Sequence, residues 1–476
     1  MKRTELLSEK RFVENSSDDC VQYRNDYDTI ICSTLFRRLQ DKAQVFPLDD
    51  DDYVRTRLTH SLEVSAIGKK LGEYAFTEAK KSNLEPWFEP HKESDFSDAL
   101  LCAGLIHDIG NPPFGHFGEY AIREWFQRNL SDITLEGKKV TDILSDWQLQ
   151  DLYNFEGNAQ SIRLLSKTPH LGSMHGFNLT YGTLASMIKY PISSENLTTD
   201  NPNHYKKIGY NYSEKELFDA INRETGMNGR RHPLSYLLEA ADDVAYRTSD
   251  VEDSMVKKVL GITQIFDALE QYLEQMKNTP DKISASADAI PMREQVAQCI
   301  QKLHDIYQNE IHKKVKKPEL SALQRWNQYL QNMMIHDAGD SFVRNYKKLM
   351  DGTFHGDLFD GTCSGHIIQA IADLSDQWIY TSSFKIKTEL YGRRVIDSLL
   401  GQFMPAVIKY DTTEKMTFID CRIIDTVSDF YKSMYRTESA GKSEADKLYL
   451  RILMITDYIS GMTDNYAKRL YQELFA

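Results

Sequence analysis

Apolar residues recur at three- and four-residue intervals along most of the chain, as in Val64, Ile67 and Leu71 and again in Val395, Ile396, Leu399, Leu400 and Phe403. That period gathers apolar side chains on one face of a helix, whereas the alternation that marks a half-buried strand is sparse. The pattern predicts an all-α fold with minor β content. One helix is expected over about Thr59 to Lys80. A second is expected over about Ser97 to His107, stopped by Gly110, Pro112 and Pro113, and a third begins near Gly118. A fourth, over about Ser235 to Met255, carries Asp242, Tyr246 and Asp250 at i, i+4 and i+8, hence on one face.

Two polar stretches interrupt the helical pattern. Pro191 to Glu214 has the Pro, Asn and Ser content of a long loop, a kind of segment that often carries function. Asn278 to Pro291 reads as a linker or insertion. No internal repeat or low-complexity tract is present.

With 476 residues the chain can bury a sizeable core. Its charge narrows the ligands: 57 Lys+Arg against 70 Asp+Glu leave a net -13, which repels polyanions and argues against nucleic-acid coating as a main role. A phosphate ligand must meet a focused cationic pocket, and a divalent ion a focused cluster of carboxylates and imidazoles. The cysteines (Cys20, Cys32, Cys102, Cys299, Cys363, Cys421) are scattered with no C-x-x-C pair, so reduced, mostly buried thiols are expected. No apolar run approaches the ~20 residues that span a bilayer. The opening MKRTELLSEKRF lacks the apolar core of a signal peptide, so a cytoplasmic protein with no membrane partner is expected.

The most informative segment is LIHDIGNPPFGHFGE, with His107-Asp108 at the end of an apolar helix and a Gly-Pro break behind it. Such a pair can present an imidazole nitrogen and a carboxylate to one ion. His304-Asp305 and His336-Asp337 repeat the dipeptide without that sequel and read as surface or packing residues. His60 lies upstream in RTRLTHSLEVS, on another helix. His116 and Glu119, spaced i, i+3 where the next helix begins, allow the carboxylate to orient the imidazole.

Together, VRTRLTHSLEVS, HDIGNPPFGHFGE, FEGNAQS, EAADDVAY and SGMTD (Ser460 to Asp464) resemble the motifs of the HD-domain deoxyguanosinetriphosphate triphosphohydrolases. The resemblance implies the HD-domain helical phosphohydrolase fold and one divalent metal ion, with Mg²⁺ or Mn²⁺ ahead of Fe²⁺ or Zn²⁺. His60, His107, Asp108 and Asp242 are the implied ligands. Asp242 and Asp243 point about 100° apart, so only one can face the ion, and Tyr246 and Asp250 share the Asp242 face. The same resemblance assigns His116 and Glu119 to catalysis, with His116 as proton donor to the departing 5′-oxygen and Glu119 holding its tautomer.

Arg57 matches a phosphate-contacting Arg of the family, and Lys189 and Lys207 flank or lie in the long loop as further phosphate candidates. Gln44 and Asp250 match positions that hold the sugar 3′-hydroxyl, and Tyr246 one beside the sugar and phosphates. Tyr380 and Glu389 fall in a segment like the family's base-recognition helix. Asn111 stands where relatives commonly carry His, and its amide can hydrogen-bond a phosphate. The implied reaction is hydrolysis of dGTP, with other dNTPs as further substrates, to deoxynucleoside and tripolyphosphate, by attack of metal-activated water at the α-phosphorus. The implied partners are the dNTP, other copies in a homo-oligomer such as a hexamer, and dNTP or single-stranded DNA effectors. Rival readings are an HD nucleotidase or phosphodiesterase, which needs no cations for β and γ phosphates, and a nucleotide-sensing or single-strand-binding regulator. The expected organisation is a metal-dependent phosphohydrolase core over 1–275, a linker or helical insertion over 276–320, and a helical region over 321–476 that completes the pocket and carries oligomer contacts.

Overall fold

Thr56 starts the first long helix, Arg57–Lys81: its hydroxyl accepts from the Thr59 N–H while the Thr59 hydroxyl accepts from the Thr56 N–H. The computed structural model describes residues 6–13, 22–49, 51–84, 92–169, 176–198, 205–278 and 290–475. Within them the protein is all-α, with a single two-stranded antiparallel hairpin, Thr134–Leu135 against Lys138–Lys139.

All four expected helices form, and each begins earlier than its apolar pattern indicates. The second runs Glu93–Ile106, opened by polar residues whose Asp95 carboxylate accepts from the Lys92 N–H. The third, Gly115–Asn129, starts behind Phe114, and the fourth, Pro233–Val256, is capped by His232, whose Nδ1 accepts from the Leu234 N–H. Caps and acidic first turns lie outside the apolar stripe, so periodicity alone places a helix start late.

The Arg57–Lys81 helix packs on Glu93–Ile106, on Pro233–Val256 and on the long helix Pro318–Arg344. Gly104 permits the first of these contacts, because a Cβ there would lie 2.6 Å from Ser65 Cα. The apolar core forms two clusters. One holds Val64, Leu100, Ile106, Ile109 and Leu237, while the other joins Phe114, Ile122 and Phe126 to Val395, Leu399, Phe403, Ile452 and Ile455. The segment from Ile109 to Phe114 crosses between them. Tyr380 packs against the first cluster, and the helix Ser383–Lys409 behind it runs into the second.

The long loop carries short helical turns at Ser194–Asn196 and Tyr212–Glu214 and a parallel bridge from Ser193 to Tyr210, and its residues 199–204 lie outside the described residues. So do residues 279–289 of the Asn278 to Pro291 stretch. Cys102, Cys299 and Cys363 are buried free thiols, Cys32 and Cys421 are exposed, and Cys20 is outside the described residues. The other two His-Asp pairs serve packing: His304 stacks on Phe266 at 3.9 Å between ring centroids, and His336 meets Tyr74 edge-on. Among the described residues no helix is long and apolar enough to cross a membrane.

Candidate active site

Three helices bring His60, His107 and Asp242 together, so that one ligand atom from each lies within 4.8 Å of the others. His60 comes from the Arg57–Lys81 helix, His107 from the end of Glu93–Ile106, and Asp242 from the middle of Pro233–Val256. His60 Nε2 is 3.0 Å from Asp242 Oδ1, and His107 Nε2 is 3.6 Å from the same oxygen. His107 Nδ1 lies 2.8 Å from the Gly104 carbonyl, which can only accept, so Nδ1 carries a proton and Nε2 is the nitrogen turned to the cluster. That Nε2 is buried and has no hydrogen-bond partner, and its chemistry suits a ligand to a divalent ion.

Asp108 stands beside this trio. Its oxygens lie 3.9 Å from His60 Nε2 and 3.6 Å from His107 Nε2, while Arg57 Nη1 donates to one at 2.6 Å and the Asn111 amide to the other. Burial opposes a charge on His107, but Asp108 and Asp242 outweigh it and raise its pKa to about 9. Burial also opposes ionisation of Asp242, yet the imidazoles of His107 and His60 beside it hold its carboxyl well below the usual range. A cluster that draws a proton in this way favours a cation. The adjacent Asp243 points elsewhere, to Arg247, and burial with Asp357 and Asp242 nearby raises it to about 7.

These residues line a cavity of about 760 Å³. Gln44, Asn111, His116, Lys189, Lys207, Tyr246, Asp250, Tyr380 and Glu389 line it as well, so every site residue singled out in the sequence reaches this cavity except Glu119. Glu119 is buried behind His116: Oε2 is 3.3 Å from His116 Nδ1, and Oε1 accepts from the Gly157 N–H at 3.1 Å. Burial works against its charge, and His116, Lys207 and Arg123 lower its pKa nonetheless.

The cations of the wall are all engaged. Lys189 pairs with Glu239, Lys207 with Glu156 at 3.0 Å, and Lys385 with Glu389 at 3.4 Å. Tyr380 Oη donates to Asp250 Oδ2 at 2.8 Å, and burial raises the Asp250 pKa to about 6 against that bond. The buried Oε1 of Gln44 and Oδ1 of Asp250 have no partner, as ligand-facing acceptors would.

Sequence reading missed several wall residues. Arg247, stacked 4.4 Å over the Tyr246 ring, directly follows a residue already singled out. Lys385 precedes Glu389 by one turn on the wall, and behind the wall Glu156, second residue of the FEGNAQS motif, sets its carboxylate on Lys207. Glu239, on the helix of Asp242, joins Lys189 to Arg231.

The HD domain family matches residues 57–157, which hold His60, the His107-Asp108 pair, His116 and Glu119. A deoxyguanosinetriphosphate triphosphohydrolase-like protein of Listeria monocytogenes is 41% identical over 100% of this chain and 99% of its own length. A probable deoxyguanosinetriphosphate triphosphohydrolase of Pseudomonas aeruginosa is 32% identical, covering 96% of this chain and 94% of its own. An Enterobacter deoxyguanosinetriphosphate triphosphohydrolase is 28% identical over 95% and 94%. With full-length likeness at that level and the motifs gathered around one cavity, the chain belongs to the HD-domain family of deoxyguanosinetriphosphate triphosphohydrolases and their like.

Proposed function

We propose that the protein hydrolyses deoxynucleoside triphosphates, dGTP first among them, to deoxynucleoside and tripolyphosphate. The observation that carries this reading is the single cavity that meets the His60, His107 and Asp242 cluster, His116, and the cations Arg57, Lys189 and Lys207. The names of the relatives point the same way.

His60, His107, Asp108 and Asp242 would hold one divalent ion, Mg²⁺ or Mn²⁺. When bound, the ion supplies Lewis acidity to a phosphoryl oxygen and lowers the pKa of a water. Arg57, Lys189 and Lys207 neutralise the triphosphate as their carboxylate partners give way. Gln44 and Asp250 bind the sugar 3′-hydroxyl, and Tyr246 packs beside it. The oxygen of water joins the α-phosphorus and the bond from phosphorus to the 5′-oxygen breaks. His116 places a proton on that oxygen from Nε2, since Glu119 occupies Nδ1.

Hydrolysis of dGTP in ¹⁸O-water tests this. The label is expected in tripolyphosphate, with the deoxynucleoside unlabelled. Pyrophosphate with dGMP, or orthophosphate with dGDP, would overturn it.

A further inference from the structure

The SGMTD segment has no part in the chemistry above, yet it is stitched to the strip that leads into Gln44. Arg38 Nη1 donates to the Gly461 carbonyl at 3.1 Å, Lys42 Nζ to the Ser460 carbonyl at 2.7 Å, and Asn465 Nδ2 to Asp41 Oδ1 at 2.7 Å. Asp464 is only 2% exposed. Its Oδ2 accepts from the Ala43 N–H at 3.0 Å and its Oδ1 from the Phe114 N–H at 2.9 Å. Lys42, equally buried, also donates to the Asn111 carbonyl at 2.5 Å.

A buried charge is costly unless it is paired or hydrogen-bonded. Here Asp464 accepts from main-chain N–H groups of two cavity-wall residues, Ala43 and Phe114, while Lys42 donates to the carbonyl of a third, Asn111, and ties it to the Ser460 carbonyl. Ala43 immediately precedes Gln44, and Phe114 lies two residues before His116. Phe114 also has φ 65°, a left-handed conformation that bulky residues rarely adopt, so the bend depends on what holds its N–H.

We propose that Asp464 and Lys42 are positioning residues: Asp464, from a segment remote in sequence, and Lys42, from within the strip, fix the Gln44 strip against the loop of Asn111 and His116. The proposal rests on the sugar and proton-donor roles given above to Gln44 and His116. In Asp464→Asn one acceptor becomes an NH₂ that opposes a backbone N–H, so both ties cannot persist. Lys42→Met removes the ammonium with little change in volume.

The test compares full-length wild type, Asp464→Asn and Lys42→Met in Mn²⁺ binding, in kcat/KM for dGTP and for 2′,3′-dideoxy-GTP, and in hydrogen exchange. Both variants are expected to bind Mn²⁺ as the wild type does and to lose roughly 10- to 10²-fold in kcat. The wild type's preference for the substrate bearing a 3′-hydroxyl should shrink in Asp464→Asn, which a merely structural role would not change. Exchange should quicken in residues 42–48 and 108–118 and stay slow in the Arg57–Lys81 helix. An unchanged 3′-hydroxyl preference, or exchange equal to wild type in both segments, overturns the proposal. If the wild type releases no product from any dNTP, the proposed function falls, and exchange alone then decides for or against the ties.

Discussion

Lys385 Nζ stands 3.4 Å from Glu389 Oε1, one turn along the same helix, and both side chains face the cavity. Lys385 also donates to the Val45 carbonyl and lies 5.3 Å from the Tyr380 ring centroid. The pair therefore couples the end of the wall that the family resemblance assigns to the base to the strip that carries Gln44. A carboxylate accepts both the N1–H and N2–H of guanine, whereas the N1 of adenine would oppose it. An acceptor left unsatisfied costs about 1–3 kcal/mol, a preference of roughly 5- to 150-fold. Glu389→Gln is expected to weaken dGTP turnover far more than dATP turnover, and Lys385→Met to raise KM for both alike. A dGTP-to-dATP ratio of kcat/KM that Glu389→Gln leaves untouched would reduce the pair to an ordinary helix contact.

Metal content separates Asp242 from its neighbour. His60→Ala, His107→Ala and Asp242→Ala should each abolish Mn²⁺ binding, and Asp108→Ala the same. Asp243→Asn should bind as the wild type does, because Asp243 turns to Arg247. Titration followed by electron paramagnetic resonance reads this directly. Full Mn²⁺ occupancy in Asp242→Ala would remove Asp242 from the ligand set.

His116→Gln is expected to lower kcat by roughly 10²-fold or more with Mn²⁺ binding intact. Glu119→Gln should fall in the same direction, since its two oxygens serve His116 and the Gly157 N–H and an amide can accept for only one. Steady-state kinetics with metal content measured in parallel checks both, and a His116→Gln enzyme as fast as wild type would end the proton-donor role.

Burial lowers the His232 pKa from 6.5 to about 4, against the hydrogen bond to the Leu6 carbonyl. Above pH 6.5 neither state binds the proton. Below it the unfolded chain does and the native protein does not, so stability is lost as pH falls from 6.5 towards 4. The loss is about 2 kcal/mol by pH 5. His232→Asn keeps a capping oxygen for the Pro233–Val256 helix and should flatten that share of the pH dependence. Denaturant midpoints of both proteins at pH 7 and pH 5 measure it; parallel losses would contradict the assignment.

Arg163 is 1% exposed and meets Asp457 at 2.8 Å and Glu214 and Glu438 at 3.0 Å. Arg163→Met strands those carboxylates and should cost about 3–5 kcal/mol of folding stability. Thermal unfolding reads the loss, and a midpoint within a degree of wild type would deny the network a structural role.

The helices were legible because the apolar period is local, and the contributors to the cavity because their motifs resemble those of the HD-domain triphosphohydrolases. Asp242 was preferred to Asp243 by the match of AADDVAY to the family motif, supported by the face shared with Tyr246 and Asp250, and in the structure Asp242 meets His60 and His107 while Asp243 meets Arg247. The engagement of the cations was not legible. Lys189 with Glu239 and Lys207 with Glu156 are pairs made by folding between distant segments. Helix starts were read late because Thr56, Lys92 and His232 act through caps, which hydrophobic spacing does not register. The ties from Asp464 to Ala43 and Phe114 cross most of the chain, and no short-range pattern announces them.

The cavity wall draws on both ends of the polypeptide, from Gln44 to Glu389, with Asp464 behind it in the last helix. A ribosome must therefore pass Glu389 before the wall can close. A chain halted after Val256 holds the ion-ligating side chains but nothing of the Ser383–Lys409 helix to meet a base. On the proposed chemistry, a chain cut between Val256 and Ser383 keeps the candidate ion site without the wall that meets a base, so consuming a DNA precursor needs the segment around Glu389 as well.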